Sequence, residues 1–149
     1  MLIEVKTKVA WIIDDKIKKE TETFILNTEI FAQAEYVIMR ELTDKREAGL
    51  IDSFEIMSLK LSIVKEIITQ YEGEYSYIAS LKDVTLQDDG SEKVVRYKVL
   101  LWASSITDAM SHVREIVAQG YDMQVDGLKE VNYTYINNEE QSIATNENS

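Results

Sequence analysis

The feature that most constrains the fold of this chain is a pattern of segments that occurs twice. In each half, two alternating apolar–polar stretches flank a short polar break, and an amphipathic helix, a glycine and a further alternating stretch follow. Alternation with period two predicts strands, and apolar residues spaced three and four apart predict a helix. The sequence therefore predicts a duplicated strand–hairpin–helix–strand unit. The first copy comprises 6–13, 18–26, Phe31–Glu47, Gly49 and 51–60, and the second comprises Tyr75–Leu86, Glu92–Ala103, 106–119, Gly120 and 121–135.

The two copies also correspond in short stretches of side chains. Each predicted helix has a single apolar face, so each covers one face of a sheet. We therefore expect an α+β, two-layer fold in which an antiparallel sheet packs against two helices. The chain is predicted to form a single globular domain over 1–136, with repeat 1 at about 3–70 and repeat 2 at about 75–136. The stretch 61–70 fits either a helical turn or a strand. The corresponding stretches are Phe31-Ala32-Gln33-Ala34 with Ile106-Thr107-Asp108-Ala109, and Ser58-Leu59-Lys60 with Gly127-Leu128-Lys129.

Both helix starts carry capping signals. Ser105 stands three residues before Asp108, the spacing of a capping box, in which the hydroxyl and the carboxylate accept hydrogen bonds from free N–H groups. Asn27 or Thr28 is the predicted N-cap of the first helix, because either side chain accepts such a bond. The apolar stripes are Phe31, Ala34, Ile38 and Leu42 on the first helix, and Ile106, Ala109, Met110, Val113, Ile116 and Val117 on the second.

Composition narrows the class of protein. The 149 residues include no cysteine and no proline, and 45% of them are hydrophobic. The absence of cysteine excludes a disulfide framework and a thiolate metal site. No apolar run reaches the roughly 20 residues of a membrane helix, so no membrane partner is expected. The first residues lack the pattern of a signal peptide, and we therefore expect a cytoplasmic protein.

The first 20 residues are close to neutral, with five lysines against four acids, and the negative charge lies in the rest of the chain. The formal net charge is −11, and residues 137–149 are polar, acidic and aperiodic. Such a segment is predicted to be a disordered acidic tail. An acidic surface disfavours tight binding of duplex DNA, because that affinity comes from lysine and arginine side chains that neutralise phosphates. A local basic groove remains compatible with this composition.

The residues with catalytic potential all have simpler explanations. His112 is the single histidine and falls in the middle of the second predicted helix, with no cysteine or second histidine to share a metal. The pairs Asp14-Asp15 and Asp88-Asp89 fall at predicted hairpin turns, where aspartate is favoured because it tolerates turn geometry. No glycine-rich phosphate loop is present. The sequence therefore predicts a protein that is not an enzyme and has no metal or cofactor.

Aromatic side chains on the predicted strands lie among basic ones. Trp11 follows Lys6 and Lys8, and Tyr97 stands between Arg96 and Lys98. Aromatic residues interleaved with lysine and arginine on a sheet form a stacking platform for unpaired bases. The alternative is that they fill the core, since strands favour aromatics for packing alone. The candidate nucleic-acid-binding residues are Lys6, Lys8, Trp11, Lys16, Lys18, Lys19, Arg96, Tyr97, Lys98 and Trp102.

The order of these segments resembles the domain of unknown function 4494 family of small bacterial and phage proteins. The resemblance covers 3–136 and leaves out the tail. One departure is Ile3-Glu4-Val5, where family members tend to carry an aromatic pair. The resemblance implies a phage or mobile-element setting and a location in the host cytoplasm. Replication accessories such as single-strand-binding proteins are common in that setting. The residues that carry the resemblance are Lys6-Thr7-Lys8-Val9, Thr23-Phe24-Ile25-Leu26, Phe31-Ala32-Gln33-Ala34-Glu35, Asp88-Asp89-Gly90-Ser91-Glu92-Lys93, Val99-Leu100-Leu101-Trp102-Ala103 and Ala109.

Two functions follow as alternatives. The first is a phage-type single-stranded DNA-binding protein, a non-enzymatic replication accessory whose acidic tail occupies the basic groove or recruits replication proteins. The second is a non-enzymatic protein-interaction or structural module of phage or mobile-element origin, in which the charge of −11 ensures solubility. The duplicated unit could act as its own pseudo-dimer, or its open sheet edges could pair with a second chain to give a homodimer.

Overall fold

The computed structural model describes residues 1–120 and 123–137. Within these ranges the chain forms eight strands and two helices, which belong to two compact units. Of the described residues, unit 1 contains Met1–Ser62 and 133–137, and unit 2 contains those within Ile63–Asn132. The elements in chain order are β1 (Leu2–Ile13), β2 (Lys16–Asn27), α1 (Phe31–Glu47), β3 (Ile51–Leu61), β4 (Val64–Ile67), β5 (Tyr75–Leu86), β6 (Glu92–Ala103), α2 (Ile106–Ala118), β7 (Met123–Val131) and β8 (Tyr133–Ile136).

Unit 1 is a four-stranded sheet, here called sheet 1, with α1 on one face. The strand order is β3-β1-β2-β8, in which β1 pairs antiparallel with both β2 and β3. Odd-numbered residues of β1 face the helix and alternate with residues on the other face. Burial of apolar side chains between sheet and helix stabilises the unit. Its fully buried core residues are Ile3, Val5, Val9, Phe24, Leu26, Ala34, Ile38 and Leu42.

Unit 2 repeats this arrangement in sheet 2. The strand order is β4-β6-β5-β7, and β5 pairs antiparallel with β6 and β7. The helix α2 lies over one face, where Ala109 and Val113 occupy the places that Ala34 and Ile38 take in unit 1. The α+β class and the internal duplication predicted from the sequence are therefore confirmed. The buried core comprises Ile68, Tyr77, Ala79, Leu81, Val99, Leu101, Ala103, Ala109 and Val113.

The duplication extends to an irregularity that the sequence pattern did not reveal. In β3 the pairing passes from Ser58 to Ile56 and skips Met57, which gives a β-bulge. In β7 the pairing passes from Gly127 to Val125 and skips Asp126 at the corresponding place. The predicted match of 58–60 with 127–129 is confirmed, because both stretches follow this bulge in register.

Each sheet also contains one parallel pair of strands that was not predicted. The strand β8 runs parallel to β2 along Thr23–Leu26, and β4 runs parallel to β6. The sheets are therefore mixed, whereas a single antiparallel sheet was expected. The stretch 61–70 contains the short strand β4, and the stretch predicted as one strand over 121–135 is divided between β7 and β8. Four-residue strands contain too few residues for alternation to identify them.

The two helix starts differ in their caps. Ser105 is the N-cap of α2, and its Oγ accepts a hydrogen bond from the backbone N–H of Asp108 at 3.1 Å, as predicted. The Asp108 carboxylate accepts instead from the N–H and hydroxyl of Ser104. For α1 the prediction was wrong, because the N-cap is Ile30 and has no side-chain cap. Neither described helix is long and apolar enough to cross a membrane.

Candidate nucleic-acid interface

The face of sheet 1 that points away from α1, here called helix-free face 1, carries lysines on three neighbouring strands. Lys6 and Lys8 alternate along β1, and both are exposed. Lys19 of β2 lies opposite Ala10, and Lys60 of β3 lies opposite Glu4. Antiparallel neighbours of this kind have Cβ atoms roughly 5 Å apart. The face therefore concentrates positive charge in a chain of net charge −11.

A shallow polar pocket marks this face. It has a volume of about 280 Å³ and is lined by side chains of all three strands. Glu55, which lies opposite Lys8, places one carboxylate beside the lysines. The lining residues are Lys8, Ala10, Lys19, Ser53, Phe54 and Glu55.

The other end of the same face is buried and polar. Glu4 is 2% exposed, and its Oε1 accepts a hydrogen bond from the hydroxyl of Tyr133 on β8. Burial, with this hydrogen bond and the charge of Glu4 as smaller causes, raises the pKa of Tyr133 well above its ordinary value. Oε2 of Glu4 has no hydrogen-bond partner within the described residues. Lys6, Lys8 and Lys19 lie on the other half of the face, and Lys60 is exposed although it lies opposite Glu4.

The corresponding surface of sheet 2, helix-free face 2, also carries basic residues. Arg96 and Lys98 alternate along β6 with Trp102, and the structure brings these three predicted residues onto one face. Arg96 Nε lies 3.7 Å from Oδ2 of Asp126, the bulge residue of β7. Leu100, between Lys98 and Trp102, is fully buried, so Trp102 is separated from the two basic residues by a covered position. A pocket of about 310 Å³ on this unit is lined by Ile63, Ser80, Leu81, Arg96, Tyr97, Lys98 and Asp126.

Trp11 and Tyr97 lie on the opposite faces of their sheets from the basic residues that flank them. Trp11 packs against the core of unit 1, with the Lys45 ammonium 5.4 Å from its ring centroid and its Nε1 buried without a hydrogen-bond partner among the described residues. Tyr97 packs against the core of unit 2, and its hydroxyl donates to Sδ of Met123 at 3.4 Å. Burial raises the pKa of Tyr97. Trp11 therefore does not share a face with Lys6 and Lys8, and Tyr97 does not share one with Arg96 and Lys98.

Lys16 and Lys18 likewise face the helix side of sheet 1, near the hairpin turn. Lys18 lies opposite Trp11, and its Nζ is 3.2 Å from Oε1 of Glu20. The turn itself is formed by Asp14 and Asp15, whose φ angles of 50° and 63° confirm the predicted turn role of this acidic pair.

Three basic residues of these faces were missed from the sequence. Lys60 and Lys129 follow the bulges of β3 and β7 at corresponding positions, and Lys82 of β5 corresponds to Lys8 of β1. Their alternation within strands was visible, but each stands apart from the aromatic clusters that guided the search. Lys82 lies opposite Arg96 and so extends helix-free face 2 across two strands.

The single histidine lies in a small polar cluster on α2. The ring of His112 stacks on that of Tyr71, with centroids 3.9 Å apart, and its Nε2 is 3.3 Å from Oδ1 of Asp108. The Tyr71 hydroxyl donates to Glu115 at 2.8 Å. Hydrogen bonds from Ser104 lower the pKa of Asp108. Across residues 1–120 and 123–137, no three His, Asp or Glu side chains come together as metal ligands would.

Comparison with known proteins gives one match. The model of a family described as Domain of unknown function (DUF4494) matches residues 3–140. The chain therefore belongs to this family, and the resemblance noted from its segments is confirmed. No curated protein and no solved structure matches the chain.

Proposed function

We propose that this chain is a non-enzymatic single-stranded DNA-binding protein that acts as a replication accessory. The observation that carries the proposal is the placement of basic residues. Eight of the sixteen lysines and arginines lie on the two helix-free faces, although the chain as a whole is strongly acidic. These residues are Lys6, Lys8, Lys19 and Lys60 on face 1, and Lys82, Arg96, Lys98 and Lys129 on face 2.

Phosphate contacts supply most of the affinity in such an interface. Lysine and arginine side chains displace the counterions of a nucleic acid, and binding then weakens as salt rises. The pocket between Lys8 and Lys19, and the one beside Arg96 and Lys98, are the places where a backbone phosphate meets two basic side chains of one unit. Trp102 is the candidate stacking residue that lies on a helix-free face, so charge contributes more here than stacking does.

In this proposal the acidic C-terminal segment regulates the binding of single-stranded DNA. Residues 138–149 lie outside the described residues, and their sequence contains Glu139, Glu140 and Glu147 without a basic residue. A negative segment of this kind competes with nucleic acid for the lysines and recruits partner proteins when it is displaced. Removal of the predicted tail 137–149 is therefore expected to strengthen binding of single-stranded DNA.

The test is fluorescence anisotropy of a labelled 30-mer oligothymidine titrated with the full chain at two salt concentrations. We expect saturable binding that weakens with salt, and weaker binding of a duplex of equal length. The variant Lys6→Glu/Lys8→Glu should lose at least about tenfold in affinity and reduce the salt slope by about 1.4, because each lost phosphate contact contributes about 0.7 for a single strand.

A matched control separates a local effect from a change of net charge. Lys93→Glu/Arg114→Glu changes the charge by the same amount, but Lys93 lies on the other face of sheet 2 and Arg114 lies on the exposed side of α2. We expect this variant to bind almost as the parent does. Equal losses of affinity in both variants would show that the DNA binds elsewhere on the chain. A parent chain that causes no change in anisotropy at low salt would rule out the nucleic-acid function.

A second function is favoured by one specific observation. The ends of both hairpins expose apolar side chains, which soluble monomers usually keep scattered. A protein-interaction module would use such ends to contact a partner, and the charge of −11 would then act only in solubility. The exposed residues are Ile12, Ile13 and Ile17 on the first hairpin, and Leu86, Val94 and Val95 on the second.

A further inference from the structure

The pocket on helix-free face 2 brings two opposite charges together. Arg96 of β6 extends over β5, and its Nε lies 3.7 Å from Oδ2 of Asp126 on β7. Lys98 and Ser80 line the same pocket, which has a volume of about 310 Å³. A volume at the low end of the range for small-molecule pockets suits one small group rather than a length of strand.

The two opposite charges are accessible to a ligand. The side chains of Arg96 and Asp126 are 70% and 41% exposed. The 3.7 Å between them is longer than the roughly 2.7–2.9 Å of a charge-assisted hydrogen bond. Within residues 1–120 and 123–137, no group donates a hydrogen bond to the Asp126 carboxylate. This carboxylate can therefore accept hydrogen bonds from a ligand, and the guanidinium beside it can donate them.

The β-bulge of β7 supplies the acid of this pocket. Asp126 is the residue that the pairing skips between Gly127 and Val125, and its ion pair with Arg96 places it on the helix-free face. Bulges often redirect a side chain beside a binding site. The corresponding bulge residue of unit 1 is Met57, which carries no charge. The acid at the bulge therefore distinguishes unit 2 from unit 1.

Among the four bases, guanine carries the groups that match this pair of charges. Its N1–H and N2–H₂ donors stand side by side on the Watson–Crick edge, where one carboxylate accepts from both. Its O6 and N7 acceptors come next along the same rim, and an arginine donates to both of them. Thymine has one N–H between two carbonyl oxygens, which a carboxylate would repel. Adenine and cytosine each offer a single amino group beside an acceptor nitrogen.

We propose that this pocket binds one unpaired guanine base of a single strand, with Asp126 accepting from N1 and N2 and Arg96 donating to O6 and N7. The inference rests on the proposed function, and it adds a base preference to an interface in which the other basic residues meet phosphates. Lys98 contacts the phosphate next to the bound base. The exposed side chain of Ile63 lines the pocket and gives the base an apolar surface to lie against.

The test is competition for the full chain against a labelled 30-mer oligothymidine, followed by fluorescence anisotropy. The competitors are unlabelled oligothymidine and the same 30-mer with guanine at every fifth position, a spacing that prevents quadruplexes. We expect the guanine strand to compete at least about fivefold better, which is the lower end of what one bidentate base contact contributes. A strand with hypoxanthine in place of guanine lacks only the N2 amino group, and should lose most of this gain.

A pair of alanine variants assigns the preference to the pocket. Asp126→Ala removes the acceptor, so it should abolish the preference for guanine while oligothymidine still binds. Glu130→Ala is the matched control, because Glu130 is exposed on the same strand but lies opposite Tyr77, whose side chain is on the helix side of sheet 2. This control loses the same charge and should retain the preference. Circular dichroism verifies that both variants fold.

Three results would overturn the inference while oligothymidine binding, and with it the proposed function, stands. The first is equal competition by the guanine and thymine strands, and the second is a guanine preference that Asp126→Ala retains. The third is competition by free deoxyguanosine monophosphate that is as strong as that of the guanine strand, since the pocket would then be a site for a free nucleotide. A parent chain that binds no strand at low salt would instead reject the proposed function and this inference together.

Discussion

The hydroxyl of Tyr133 donates a hydrogen bond to Oε1 of Glu4, and so joins the last described strand of the chain to the first. The corresponding positions of the other unit are apolar, since Ile78 takes the place of Glu4 and Val64 takes the place of Tyr133. In unit 1 a buried side-chain hydrogen bond therefore links the added strand β8 to β1, whereas the corresponding positions of unit 2 carry apolar side chains. A buried carboxylate is costly unless it is hydrogen-bonded, so this pair is a sensitive point of unit 1.

Removal of the Tyr133 hydroxyl should destabilise the protein. In Tyr133→Phe the buried Glu4 loses the hydrogen bond to its Oε1, and an unsatisfied buried acceptor costs about 1–3 kcal/mol. The measurement is urea denaturation of the variant and the parent. Tyr36→Phe is the control, because Tyr36 is 65% exposed on α1, and its effect should stay within about 0.5 kcal/mol. Equal stability of both variants would show that the Glu4–Tyr133 bond contributes nothing.

Tyr133 should also affect how the free energy of unfolding changes with pH in alkaline solution. Burial and Glu4 raise the pKa of Tyr133 in the folded chain above its value in the unfolded chain, so the folded state holds the phenolic proton more tightly. This contribution is fully present below pH about 10 and is lost as the pH rises toward the folded-state pKa. The loss of unfolding free energy above pH about 10 should be less steep in Tyr133→Phe. A part of the slope remains, because burial also raises the pKa of Tyr71, Tyr77 and Tyr97.

The regular elements could be predicted because their patterns are long. The helix Phe31–Glu47 and the strands Tyr75–Leu86 and Glu92–Ala103 have the bounds that periodicity indicated. The four-residue strands β4 and β8 and the bulges at Met57 and Asp126 could not be predicted, because pairing between distant segments decides them. Sequence reasoning thus identified the repeat, but not how each sheet is completed.

The candidate site, like the fold, could be predicted only in part from the sequence. Period two already separates Trp11 from Lys6 and Lys8, and Tyr97 from Arg96 and Lys98, since neighbours of opposite parity face opposite sides of a sheet. Which side the helix covers is a tertiary fact, and it places both aromatic residues against the core. Lys60, Lys82 and Lys129 join the basic faces through cross-strand register, which a single sequence does not contain.

The unequal caps of the two helices give a paired prediction. Ser105→Ala removes the hydroxyl that accepts from the N–H of Asp108, and should lower the free energy of unfolding by about 1 kcal/mol. Ile30→Ser supplies the missing cap of α1, where the backbone is already extended and the isoleucine is 59% exposed, and should raise it by about 1 kcal/mol. Thermal or urea denaturation measures both. A destabilising Ile30→Ser would show that the Ile30 side chain is needed for packing.

Two glycines outside the left-handed region of backbone space should respond in opposite ways to alanine. A Cβ at Gly73 would lie 2.2 Å from the backbone carbonyl carbon of Ala103, and backbone atoms cannot move aside as a flexible side chain can. Gly73→Ala should therefore cost about 1–3 kcal/mol, as overpacking does. At Gly127 no atom lies within 4 Å of the added carbon, so Gly127→Ala should stabilise the protein by about 0.4–1 kcal/mol by restricting the unfolded chain. Urea denaturation of the two variants, with far-ultraviolet circular dichroism to verify folding, decides the matter. If Gly73→Ala proved as stable as the parent, the close approach of Gly73 to the end of β6 would be wrong.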